Sequence, residues 1–360
     1  MERIHNFSAG PAILPVPVLE ASKQAVTNYN NLGMSVMEMS HRSKEIVAMF
    51  DETKANVLEL MNLNSADYSV LFLGGGASMQ FAMIPLNFLK NSADYINTGT
   101  WTKKAIKEAN MIGNVNIAGS SEDKNFSYIP KEFTFDDNAD YVHYATNNTI
   151  FGTRVKDIPN VGNTPLICDM SSDLFSRQLD FSKFDMIYAG AQKNIGPSGA
   201  TLVVIKKSFV EKAAKNDNLT MLKYSTHIEK DSMFNTPPVF PVFVINETLK
   251  WVKAQGGVSK VEEINNNKAN MIYDAIDNSE GFYKAVVSDK KDRSIMNITF
   301  NLPTEELEAE FVKQATDKNM SGLKGHRSVG GIRASIYNAC PTESVQELVK
   351  FMGEFQVKYL

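Results

Sequence analysis

Lys193 stands in the segment Tyr188-Ala189-Gly190-Ala191-Gln192-Lys193-Asn194-Ile195-Gly196-Pro197-Ser198-Gly199, a short loop between two strongly apolar runs. Those runs, over 184–189 and 200–205, read as buried strands bounded by Gly and Pro turn signals. A lysine held at the mouth of a buried sheet loses solvation, which favours its neutral amine. A neutral amine is the nucleophile that forms a Schiff base with an aldehyde. Taken alone, the segment fits a surface lysine in a turn equally well. Asp169 follows another apolar run, 165–168, and lies 24 positions before Lys193. A carboxylate there caps a helix, closes a turn or meets a buried cation. An Asp at one strand end followed by a Lys at the next lets a small cofactor bridge the two.

Gly74-Gly75-Gly76-Ala77-Ser78 closes a strand and opens a helix. Glycines there let a phosphate approach the N–H groups of the first helical turn, although such turns are often only tight connections. The spacing is that of neither a Walker loop nor a Rossmann turn. His41-Arg42 and His326-Arg327 are two His-Arg pairs, and Arg333 lies just beyond the second. A single such pair is ordinarily solvated surface, but arginine forks suit both phosphate and carboxylate.

The elements that position these residues alternate. Strands are expected over 68–73, 94–97, 141–145, 165–168, 184–189 and 200–205, with helices over 77–89 and 100–109. Pro11, Pro15 and Pro17 make residues 1–15 an extended lead-in and block an early helix. The alternation predicts an α/β large domain over 16–257 with a mostly parallel sheet and ligands at the strands' C-terminal ends. After Gly256-Gly257, a helix over 258–278, strands over 294–300 and 331–337, and helices over 304–316 and 343–355 predict a smaller α+β domain over 258–360.

With 360 residues, the chain exceeds the usual size of one core. A formal charge of −4 and a sequence pI near 5.8 argue against nucleic acid or an anionic membrane as main partner. Any anion site is therefore a local cluster of cations. The N-terminal residues lack the apolar core of a signal peptide, and no apolar run suffices to span a bilayer, so a cytoplasmic protein is expected. Two cysteines, Cys168 and Cys340, are too few for a disulfide framework or a cysteine metal site, and no metal is expected. Met34, Met37 and Met39 read as packing residues, and His143 as a core histidine. Cys168 reads as an inert strand residue, and Asn265-Asn266-Asn267 as a solvated helix face.

Six segments occur in order along nearly the whole chain: Asn6-Phe7-Ser8-Ala9-Gly10-Pro11-Ala12, Glu38-Met39-Ser40-His41-Arg42-Ser43, Leu73-Gly74-Gly75-Gly76-Ala77-Ser78, Ala191-Gln192-Lys193-Asn194-Ile195-Gly196-Pro197, Phe234-Asn235-Thr236-Pro237-Pro238 and the run from Gly322 through Gly325-His326-Arg327-Ser328-Val329-Gly330-Gly331-Ile332-Arg333 to Ser335. Each is modestly specific; the ordered set is highly specific. Together they resemble the phosphoserine aminotransferase family, of the class V, fold-type I pyridoxal-phosphate-dependent aminotransferases. The resemblance implies a fold-type I α/β enzyme with pyridoxal 5′-phosphate as cofactor. It further implies transamination between O-phospho-L-serine and 2-oxoglutarate to 3-phosphooxypyruvate and L-glutamate, in serine synthesis and in some bacteria also pyridoxine synthesis.

By that resemblance, Lys193 would be the Schiff-base lysine and proton carrier, and Asp169 the partner of the pyridine nitrogen. Trp101 would stack on the ring and Thr149 bond near its hydroxyl. Ala77, Ser78 and Gln192 would contact the phosphate, with Asn235 and Thr236 reaching it from the neighbouring subunit of a homodimer. Arg333 would hold the substrate α-carboxylate, and His41, Arg42, His326 and Arg327 the phosphate or second carboxylate. Where the family often has Arg or Gly in the cradle, this chain has Ser78-Met79.

Two other readings compete. One is a different class V activity, such as cysteine desulfuration or alanine–glyoxylate transamination. Desulfuration needs a mobile nucleophilic Cys, which neither Cys168 nor Cys340 resembles. The other is a phosphometabolite-binding protein that has lost its chemistry, against which the Lys193, Asp169 and Trp101 set argues.

Overall fold

The computed structural model describes residues 3–214 and 217–360; Met1 and Glu2 of the expected lead-in lie outside them. A two-residue strand β1 (His5–Asn6) precedes helices α1 (Val16–Asn28) and α2 (Lys44–Met61). There follow β2 (Tyr68–Leu73), α3 (Gly76–Phe88), β3 (Ser92–Asn97), α4 (Thr100–Asn110), β4 (Asn114–Ser120), β5 (Val142–Ala145), β6 (Leu166–Asp169), β7 (Met186–Gly190) and β8 (Thr201–Lys206). Next come α5 (Lys207–Ala213), α6 (Tyr224–Glu229), α7 (Val239–Ala254) and the long α8 (Gly257–Asp277). The chain finishes with β9 (Lys284–Ala285), β10 (Asn297–Asn301), α9 (Glu305–Asp317), β11 (Met320–Ser321), β12 (Ile332–Ser335) and α10 (Thr342–Tyr359).

Strands β2 to β8 form one seven-stranded sheet in the order β2-β8-β7-β6-β5-β3-β4. Only β8 runs against its neighbours, so the sheet is mostly parallel, as expected. Side chains alternate across it. Val70 and Phe72 of β2 enter a core with Phe50, Val242 and Ile245, whereas Leu71 and Leu73 face Phe81, Phe88 and Tyr188. Fully burying each such side chain is worth roughly 1.5–3 kcal/mol. Helices on both faces therefore leave the strands' C-terminal edge as the place where loops converge.

A third core gathers Phe282, Phe300, Phe311, Phe351 and Phe355 around the antiparallel sheet β12-β10-β9. Phe7 and Ile13 belong to it, because β1 pairs in parallel with β11, His5 opposite Met320. Helix α8 joins both units: Val258 and Val261 pack in the first core, Ala269 and Ile272 in the third. Among the described residues, no helix is long and apolar enough to cross a membrane.

Several expectations need correction. Pro17 does not block an early helix: it lies in the first turn of α1, where a missing N–H is harmless. Met34 and Met37 are exposed, at 45% and 57%, and only Met39 packs on the core. Asn265 is no solvated residue; it is buried, donating to Ser176 O at 3.0 Å and Asn338 Oδ1 at 2.8 Å.

His143 is a core histidine, its Nε2 2.9 Å from the Tyr188 hydroxyl and its Nδ1 buried without a partner. Burial pushes its pKa down to about 3. The unfolded chain takes up this proton near pH 6.5, and the fold resists it until about pH 3. The associated stability is therefore complete above pH 6.5 and drains away as pH falls toward 3. In His143→Gln, the slope of melting temperature against pH between 6.5 and 4 should flatten; an unchanged slope would assign the acid sensitivity to other groups.

Candidate active site

Four parallel strands deliver the central residues to one edge. Asp169 is the last residue of β6, and Lys193 follows β7 by three residues. Thr149 lies in the loop after β5, and Trp101 in the first turn of α4 after β3. The Lys193 amine donates to Thr149 Oγ1 at 2.8 Å and stands 5.5 Å from the centre of the Trp101 ring. The side chain keeps part of its surface open, but protein surrounds its amine. That burial lowers the Lys193 pKa; Arg333 adds to the effect, while Asp169 and Asp173 oppose it. The neutral amine inferred from the sequence is thus favoured by desolvation.

The backbone around the lysine is fixed from several directions. Asn194 donates to Leu174 O at 2.7 Å and accepts from the Asn338 N–H at 2.9 Å. On the other side, Gly10 crowds the lysine stem. A Cβ there would lie 3.3 Å from Lys193 Cγ, and its φ of +144° disfavours any other residue. Asp169 is 8% exposed and accepts from the Ser171 N–H at 2.9 Å. Thr146 donates its N–H to Asp169 O at 3.1 Å, and its hydroxyl to the buried Asp173.

The Thr149 loop owes its shape to two asparagines. Asn147 donates to Ser172 Oγ and Asn297 Oδ1, both at 2.8 Å, and Asn148 donates to Thr98 O. Arg333, on β12, donates to Thr149 O at 3.3 Å, while its Nε is buried without a partner and burial lowers its pKa. The His326-Arg327 loop folds over this region, with Val329 packing beside Trp101, Phe126 and Phe151. Burial, then Arg333, Arg327 and Lys104, lower the His326 pKa, so several cations converge here.

At the end of β2, Gly75 takes φ +83° at the N-cap of α3, where a Cβ would fall 2.6 Å from that of Met79. Ala77 and Ser78 sit in that first turn, whose N–H groups have no partners within the helix. Gln192 is half-buried, its backbone O accepting from the Ala12 N–H at 2.9 Å. Asn235 lines a cavity of about 210 Å³ with Gly74 and Met79. Thr236 is exposed beside it.

His41 and Arg42 precede α2. Arg42 is exposed, His41 Nε2 is enclosed without a partner, and no hydrogen bond among the described residues ties either side chain to Lys193. Asp173 and Thr146 were not singled out by sequence, and Gly10 and Asn194 entered only as members of the quoted segments. For Asp173 the available signal was proximity, four residues past Asp169.

A desolvated lysine, an aromatic ring and a buried carboxylate at neighbouring parallel strand ends fit an aldehyde-bearing aromatic cofactor. The open glycine turn at a helix start and the orphaned Trp101 Nε1 add polar donors at this edge. The sequence model of the aminotransferase class-V family matches residues 4–348. The chain belongs to the class-V aminotransferases. Within this family, a phosphoserine aminotransferase of Bacteroides fragilis is 52% identical over 98% of both chains. The solved phosphoserine aminotransferase from Bacillus circulans subsp. alkalophilus is 49% identical and covers 100% of both chains with a TM-score of 0.97. A pyridoxal-phosphate-bound phosphoserine aminotransferase from Trichomonas vaginalis is 36% identical, with a TM-score of 0.92 over 98% of this class-V chain and all of that one.

Proposed function

We propose that this chain is a phosphoserine transaminase, converting O-phospho-L-serine and 2-oxoglutarate reversibly to 3-phosphooxypyruvate and L-glutamate in serine synthesis. The observation that carries this reading is the desolvated Lys193 amine, held by Thr149 beside Trp101 and within the field of Asp169. When bound, pyridoxal 5′-phosphate supplies an aldehyde for the amine and a ring that takes up negative charge from the substrate Cα.

Lys193 would hold the cofactor and would serve as the base that moves the substrate Cα proton; its lowered pKa suits that role. Asp169 keeps a proton at the pyridine nitrogen, as a buried, fixed anion does. Trp101 supports the ring by stacking and excludes water from one face. Thr149 orients the Lys193 amine and bonds near the ring hydroxyl. Ala77, Ser78 and Gln192 receive the cofactor phosphate, joined in a homodimer by Asn235 and Thr236 of the second copy. Arg333 takes the α-carboxylate, its fork only partly used by Thr149 O. His41, Arg42, His326 and Arg327 take the substrate phosphate or the second carboxylate of glutamate. Boundaries near residues 15 and 257, cytoplasmic location and a second role on 4-phosphooxy-L-threonine in pyridoxine synthesis complete the reading. Cysteine desulfuration is disfavoured, because Cys168 and Cys340 are buried and burial raises both thiol pKa values.

The test is the absorbance of the cofactor-loaded protein before and after O-phospho-L-serine, with L-serine and L-alanine as controls. Conversion to the pyridoxamine form by phosphoserine alone is expected; a response only to another amino acid would move the activity elsewhere in the family. In the same assay, Arg42→Ala should raise the phosphoserine concentration for half-conversion by about tenfold or more, since a charged hydrogen bond is worth about 1.5–3 kcal/mol. An unchanged concentration would remove Arg42 from phosphate recognition.

A further inference from the structure

A second polar cleft lies apart from the Lys193 cluster, between the loop after β5, the β6–β7 connection and α8. It has a volume of about 660 Å³, the size of a small metabolite, and its wall carries Arg154, Lys156, Arg177 and Lys183 against Asp157, Asp180 and Glu262. Two of the three carboxylates are engaged by backbone donors. Glu262 accepts from the Gln178 N–H at 2.9 Å, and Asp180 from the Ser182 N–H at 3.2 Å.

The cations are less well matched. Arg177, 6% exposed, spends its fork on Val155 O and Lys156 O, both at 2.7 Å, and its Nε lies 3.6 Å from Asp173. Arg154 stands beside this already paired arginine. Its Nε is buried with no hydrogen-bond partner, and burial and the Arg177 charge both lower its pKa, with Asp173 and Glu262 offsetting part. Lys156 and Lys183 are exposed at the rim, outside any ion pair among the described residues. Asp173 offsets part of the charge on both guanidinium groups but gives neither Nε a hydrogen bond, so this arginine wall is only partly satisfied from within the protein.

We propose that this cleft is a binding site for a small dianion bearing phosphate or carboxylate groups, seated on Arg154 with Lys156 and Lys183 closing from the rim. Arginine's planar fork accepts two oxygens of either group, and the ammonium ends add charge without fixed geometry. The site is separate from the substrate cations and does not depend on which amino acid the enzyme uses.

Isothermal titration of the cofactor-loaded protein with inorganic phosphate, and separately with succinate, tests this. At least one of the two ligands should bind in two classes per chain, and that ligand names the source chemistry. Arg154→Met should lose one class and keep the other, with turnover in anion-poor buffer within about twofold of the parent. Lys183→Gln, an exposed rim change, should weaken the same class at least threefold, and decides the matter if Arg154→Met does not fold. Titrations of both variants identical to the parent would overturn the proposal, as would a parent with a single class that both variants keep. An error in the assigned activity would instead leave the parent with a single class that Arg154→Met loses.

Discussion

Lys193→Ala is expected to abolish turnover, by about 10³-fold or more, while the protein stays folded. Proton transfer by a positioned base contributes typically 10²–10⁴-fold, and in the proposed function the same amine also anchors the cofactor, so the two losses would compound. Structurally the change removes little: one hydrogen bond to Thr149 Oγ1 and the cost of keeping a lysine amine out of water. The loop itself is held by Asn194 and by Gly196, whose N–H donates to Ala191 O at 2.9 Å, not by the lysine side chain. Steady-state kinetics and thermal melting in parallel check both halves. Turnover within tenfold of the parent would refute the assignment.

Asp169→Asn is expected to lower kcat by about 10²–10³-fold, the range for removing one preorganised charge from a buried site. Asparagine keeps the shape and can still accept from the Ser171 N–H, so a large loss reports the missing charge. A second readout separates an electrostatic role from a structural one. Asp169 is the foremost charge raising the Lys193 pKa against burial, so its neutralisation lowers that pKa further. The pH midpoint for acylation of Lys193 in the cofactor-free protein should therefore move down. An unmoved midpoint with lost activity would mean that Asp169 does not act through the lysine.

Lys193 and Asp169 were legible because each follows an apolar run, and a buried parallel strand leaves one place for a polar residue to go. Strands β2 and β8, which pair antiparallel, were legible from their apolar runs alone. Helix α7 was not: Val239–Ala254 begins with a continuous apolar stretch in which strand and helix periodicities cannot be told apart. Strand β4 escaped as a half-exposed edge rich in Asn. Asn265 looked solvated because its neighbours are polar, yet its partners, Ser176 and Asn338, come from distant parts of the chain. The cation pairs show the same limit, since spacing in sequence brought Arg333 into the cluster but says nothing about Arg42.

The pairing of β1 with β11 ties together two segments far apart along the chain. His5 lies opposite Met320, so the pair cannot form before the segment carrying Met320 has been made. The segment carrying Gly10, which crowds Lys193, is therefore clamped by a strand made more than a hundred residues after the lysine itself, so the lysine's surroundings close later than the sheet that bears it can form.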